Sequence, residues 1–125
     1  MKHHRPLRVG ALILEELSKI LLREVESRGE LITITSVDVD KKLEHAIVYV
    51  SVLVPASPSS QGGPGDARDA ERRAEKAVEM LGARQPYLQS LLYRTLNIRP
   101  MPTIMFRRDR GLERAAGVER ALLGR

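Results

Sequence analysis

From residue 8 to about residue 27 the apolar positions fall at helical spacing: Val9, Leu12, Ile13, Leu17, Ile20, Leu21 and Val25 form one stripe. Glu15, Glu16, Lys19, Arg23 and Glu26 occupy the rest of the circumference. Pro6 stands just before this stretch and Gly29 just after it, so one long helix is predicted. The period then changes to two. In residues 31–40, Leu31, Thr33, Thr35, Val37 and Val39 alternate with Ile32, Ile34, Ser36 and Asp38, and the β-branched content favours a strand. Residues 45–54 (HAIVYVSVLV) lack a clean polar side, which places this strand at the sheet centre. A turn over residues 40–44 makes the two an antiparallel hairpin.

Residues 55–65 (PASPSSQGGPG) have the composition of a flexible loop. Asp66 or Asp69 then caps a helix running to about residue 83, with Ala70, Ala74, Ala77, Val78 and Leu81 on its inner face. Pro86 breaks that pattern, pushes Gln85 towards an extended conformation and opens a second helix on Tyr87, Leu88, Leu91, Leu92 and Leu96. Residues 97–101 form a linker. Pro102 introduces an edge strand over 103–107, and residues 113–123 form a short helix or a frayed terminus.

The predicted order is α-β-β-α-α-β. A return to the third strand through two helices makes it parallel to the second. The fold class is therefore α+β: a two-layer domain with a three-stranded mixed sheet and its helices on one face. The expected boundaries are a flexible start (1–7), a domain (8–108) interrupted by the 55–65 loop, and a C-terminal tail (109–125).

Charge sharpens this picture. The 125-residue chain has a net charge of +5, and residues 84–110 alone hold six arginines against Asp109, a surplus of the same size. Arg84, Arg94, Arg99, Arg107, Arg108 and Arg110 form this excess, and guanidinium groups suit phosphate oxygens. A localised basic excess marks a docking surface for a polyanion, or else a solvated helix face with a basic strand end. Lys41 and Lys42 at the hairpin tip either extend that surface or solvate a turn.

Other chemistry finds little support. With no Cys, disulfides and thiolate metal sites are excluded, and His3 and His4 lack further ligands. Asp38, Asp40 and Glu44 are explained by turn formation. Ser57, Ser59 and Ser60 have no base spaced to activate them. Gly62 to Gly65 lack the lysine of a phosphate loop. The chain is expected to be no enzyme, to need no metal or cofactor, to contact no membrane and to be cytoplasmic. With one Phe, three Tyr and no Trp, binding should lean on backbone and shape rather than on base stacking.

The element order is that of a type II KH domain. R-x-x-R-V at Arg5, Arg8 and Val9, HAIVYVSVL at 45–53, YLQSLL at 87–92 and IRPMPTIMF-x-x-D at 98–109 resemble the ribosome-binding factor A family. The resemblance implies a ribosome assembly factor. Its partners would be the free or precursor small ribosomal subunit and its rRNA, with late maturation of the rRNA ends as the outcome. An assembly GTPase is a further candidate partner, and a monomer is expected. The family's Ala-x-Gly kink falls on Arg84, Gln85 and Pro86, so the site expected from charge and resemblance together is Arg84, Gln85, Arg94, Arg99, Arg107, Arg108, Arg110, Lys41 and Lys42. Two other readings are a KH-like regulatory or ribosome-hibernation module and a sheet-edge protein-interaction adaptor.

Overall fold

The computed structural model describes residues 4–25, 29–55 and 64–111. The elements are α1 (His4–Glu24), β1 (Leu31–Val39), β2 (His45–Leu53), α2 (Pro64–Ala83), α3 (Gln85–Leu96) and β3 (Thr103–Arg108). The sheet order is β1-β2-β3, with β1 antiparallel and β3 parallel to β2. The α+β order, the hairpin, the central β2 and the parallel return all match the sequence.

β2 organises the core. Ala46, Val48, Val50 and Val52 point to the helix side and are almost fully buried. Ile13, Leu17 and Ile20 of α1, Leu81 of α2, and Leu88 and Leu92 of α3 close over most of this row. Val52 joins Ala74 and Ala77 of α2 in a smaller cluster, where the small side chains let that helix approach the sheet. Gly10 does the same for α1: a Cβ there would lie 3.1 Å from the Val37 carbonyl oxygen.

Several boundaries depart from the sequence reading. α1 begins at His4, so four of the seven residues expected to precede it are helical. Pro6 sits in its first turn, where no preceding carbonyl meets the ring. Leu12 is 43% exposed although it belongs to the predicted stripe. α2 begins at Pro64, which places Asp66 and Asp69 inside the helix rather than at its cap. The rest of the 55–65 loop from residue 56 to 63, and the C-terminal helix of 113–123, fall outside the described residues. Two helices do meet at a break, but Arg84 carries it (φ −90°, ψ 2°), and Gln85 is the first residue of α3 rather than extended. Pro86 then falls among the first donors of a helix, where its missing N–H costs nothing.

β1 also alternates less simply than expected. A bulge between Ile34 and Ser36 switches the inward face from Ile32 and Ile34 to Val37 and Val39. Thr35 and Ser36 thereby both lie on the outer face of the sheet. Among the described residues no helix covers that face. It carries Ile47, Tyr49, Ser51 and Arg107, together with Leu31 (58% exposed), Leu53 (41%) and Met105 (46%).

Gly10→Val should lower stability by about 1–3 kcal/mol, as overpacking does, because backbone rather than a side chain stands opposite. Urea unfolding checks this; an unchanged midpoint would mean that α1 can move off β1 freely.

Candidate nucleic-acid interface

The nine residues singled out by charge and resemblance do not form one surface. At one end of the sheet, Asp40 builds the hairpin turn. Its carboxylate accepts the N–H groups of Glu44 (2.8 Å) and His45 (3.2 Å), and Leu43 adopts a left-handed conformation (φ 58°) that buries its side chain. The Glu44 N–H, followed by the His45 ring and N–H, keeps the Asp40 carboxyl below its ordinary range. Lys41 and Lys42 are held at this tip and are exposed.

The start of β3 lies beside the turn, since the Thr103 N–H bonds to the Glu44 carbonyl at 2.9 Å. The linker before it brings Arg99, whose carbonyl accepts the Arg5 guanidinium at 3.2 Å. Arg94 in the last turn of α3 comes to the same end. Arg8 lies one helical turn beyond Arg5 on α1. This end therefore gathers cations from four separate segments. Sequence reasoning left Arg5 and Arg8 out of the site because they lie far before Arg94 and Arg99, with 94 residues separating Arg5 from Arg99; the only signal was their place in the R-x-x-R-V motif.

The remaining candidates stand elsewhere. Arg84 is near the opposite end of α1, donating to the Glu24 carbonyl (3.2 Å), and Tyr87 donates to the Glu24 carboxylate (3.1 Å). Gln85 turns inward. Its amide donates to the Ile104 carbonyl (3.1 Å) and to Gln89 Oε1 (3.1 Å). Gln89 accepts the Ile104 N–H (2.8 Å) and donates to the Pro102 carbonyl (2.9 Å). The two glutamines thus occupy the free hydrogen-bonding edge of β3.

Arg108 and Arg110 have an acidic partner from outside the 84–110 stretch in which they were counted. Glu71 of α2 takes a two-pronged pair from Arg108 (2.7 and 3.1 Å) and a third bond from Arg110 (2.9 Å). The Arg108 side chain is only 12% exposed. Its guanidinium is the main reason the Glu71 carboxyl sits below its ordinary range. Asp109 turns the other way: its carboxylate accepts the Gly111 N–H (2.9 Å) and the Thr35 hydroxyl (2.7 Å), and these two bonds, in that order, lower its pKa. Arg107 alone of the three is exposed and without a partner among the described residues. No group of three His, Cys, Asp or Glu residues that could hold a metal occurs among the described residues, and no helix there is long and apolar enough to cross a membrane.

The profile of the family described as ribosome-binding factor A matches residues 5–122. The chain belongs to the ribosome-binding factor A family. It is 34% identical over 125 residues to ribosome-binding factor A of Ectopseudomonas mendocina, covering 96% of this chain and 88% of that one. It is 38% identical over 114 residues to that of a Synechococcus strain, covering 89% of this chain and 71% of that one. The fold is similar to the crystal structure of ribosome-binding factor A from Thermus thermophilus, with a TM-score of 0.59 at 18% identity over 82% of this chain and 94% of that one. A homology model of the Thermus protein, fitted into a cryo-electron-microscopy map of its 30S complex, is similar too, with a TM-score of 0.59 at 20% identity over 80% of this chain and 90% of that one.

The two glutamines and the two arginines make separable predictions. Gln89→Ala should cost about 1–3 kcal/mol, since it strips the Ile104 N–H of its partner; a urea midpoint equal to that of wild type would show that water replaces the amide. Arg108→Ala should destabilise by about 1 kcal/mol or more, whereas Arg107→Ala should stay within about 0.5 kcal/mol, as exposed substitutions do. Equal thermal shifts for the two would contradict the Glu71 pairing.

Proposed function

We propose that this chain is a ribosome assembly factor that binds the free or precursor small ribosomal subunit through its rRNA and assists late maturation of the rRNA ends. Family membership supports the subunit as partner, because the related Thermus protein is described in a 30S complex. The observation that carries the RNA reading is the basic end: Arg5, Arg8, Lys41, Lys42, Arg94 and Arg99 come from four segments to one pole. The acids of that pole are Asp38, Asp40 and Glu44, and the Asp40 carboxylate is engaged by the turn and by the His45 ring at 3.1 Å. Cations carried on turns and helix ends suit a curved phosphate backbone.

In this reading the protein is not an enzyme and works in the cytoplasm, where subunits are assembled. Its contribution is binding: it stabilises one arrangement of the rRNA and leaves when the mature arrangement no longer fits. The sheet-edge alternative has less support, because Gln85 and Gln89 already fill the β3 edge at Pro102 and Ile104. Arg84 and Gln85 act in this reading as structural residues of the helical break rather than as phosphate ligands.

Replacing Lys41, Lys42 and Arg99 by Glu should abolish cosedimentation with free small subunits without lowering the melting temperature. The corresponding Gln variants should reduce the salt slope of rRNA binding by about 0.7–0.9 per phosphate released. Binding within about twofold of wild type would remove the basic pole from the interface.

A further inference from the structure

The fold treats the two edges of the sheet differently. Gln85 and Gln89 occupy the hydrogen-bonding edge of β3 at Pro102 and Ile104. β1 forms the other edge. In a strand, alternate residues turn both N–H and C=O away from the paired neighbour. Among the described residues, no hydrogen bond reaches residues 31–34 from the side away from β2.

A groove accompanies that stretch. Its cavity is about 330 Å³, and Leu31, Ile32, Thr33 and Ile34 all line it. Side chains of consecutive strand residues point to opposite faces, so four in a row share a cavity only if it runs along the backbone edge itself. The end of α1 supplies the opposite wall. Leu21 (7% exposed) and Ile34 (8%) form the floor, and Leu22 (86%) and Leu31 (58%) form the rim. The volume lies at the lower end of the roughly 300–1,000 Å³ of ligand clefts, so it takes a side chain or two of a passing chain rather than a bulky cofactor.

The bulge sets how far this edge can pair. The β1–β2 ladder slips between Ile34 and Ser36, and a bulge bends a strand and ends regular pairing. Asp38 beyond it is exposed, a charge of the kind that keeps edges apart. The open edge is therefore the short run 31–34.

Charge narrows the occupant. Residues 11–38 carry six acids against three bases, a net of −3 in a chain of +5. Glu15 stands one helical turn before Ser18 of the groove wall and is 63% exposed. Its contact with Lys19 at 3.6 Å is an exposed pair that holds it weakly. This side of the molecule repels a phosphate backbone and attracts a cationic chain.

We propose that the β1 edge at residues 31–34, with the α1 groove beside it, docks a basic, extended peptide segment of a partner protein. Main-chain bonds to the open edge hold the segment, and an apolar side chain enters between Leu21 and Ile34. Alternate residues carry the cations on the solvent side. The groove takes protein and the basic pole takes RNA. The proposal goes beyond the subunit-binding reading and does not rest on it.

The test uses the nitrogen-15-labelled full chain and the peptide Lys-Val-Lys-Val-Lys-Val-Lys, acetylated and amidated. Titration should move the amide resonances of residues 31–34 most. It should also slow hydrogen exchange at those of their N–H groups that face away from β2. Leu22→Asp should weaken binding by about tenfold or more, since the rim leucine is lost, and its exposure lets the variant fold. Glu15→Lys with Asp38→Lys should weaken binding by about threefold or more. The matching peptide with Glu in place of Lys should leave the 31–34 resonances where they are. Largest shifts elsewhere in the chain, binding unchanged by Leu22→Asp, or equal binding of the acidic peptide would overturn the proposal. So would 31–34 resonances that move with protein concentration in the absence of peptide, because a second copy would then be the occupant.

Discussion

Burial of one side of β2 is the constraint on which the architecture rests. Its four helix-side residues, Ala46, Val48, Val50 and Val52, are too apolar to face water, so α1, α2 and α3 gather on that side. Removing that row from water is favourable by about 25 cal/mol per Å² of apolar surface, and the α1 stripe of Val9, Ile13, Leu17, Ile20 and Leu21 is buried with it. The demands on the rest are geometric. α1 must approach closely, which Gly10 allows. α2 must pass over the far half on small residues. α3 must begin beside β3, which the break at Arg84 permits. The opposite side of the sheet is left with a mixed surface, and Lys41, Lys42, Arg94 and Arg99 lie at a turn, a helix end and a linker.

That distribution separates linear charge from surface charge. Arg107, Arg108 and Arg110 are near neighbours in sequence, yet strand alternation sends Arg107 outward and Arg108 towards α2. Glu71 sits 37 residues before Arg108 and neutralises part of the cluster from there. Arg5 and Arg99, conversely, are 94 residues apart and meet at one pole. The basic pole is assembled by topology.

The element order was legible because each element has its own period and because Pro and Gly punctuate the chain. The parallel return of β3 came from connection rules alone. The bulge in β1 was not legible: a one-residue slip leaves Leu31 to Val39 looking like an uninterrupted alternation, since both of its faces hold apolar residues. Nor was the role of Gln85 and Gln89, because an exposed-looking glutamine gives no sign that a strand edge waits beside it. The Pro86 signal was real but displaced; the ring restricts Gln85, and the chain resolves the conflict one residue earlier, at Arg84. Glu71 was invisible as a partner because pairing across two elements needs the fold first.

The turn at Asp40 has one more consequence. Leu43 accepts a left-handed backbone conformation, which costs a non-glycine residue about 1 kcal/mol, because its side chain is thereby anchored in the core. Two lysines on a loose hairpin would each surrender backbone freedom on meeting RNA. Here Lys41 and Lys42 ride on a loop fastened from below by Leu43 and from within by the Asp40 carboxylate, so that ordering cost was met during folding. The hairpin tip is a stiff peg. In the proposed subunit-binding reading, a pair of charges ordered in advance would favour phosphates whose spacing matches it.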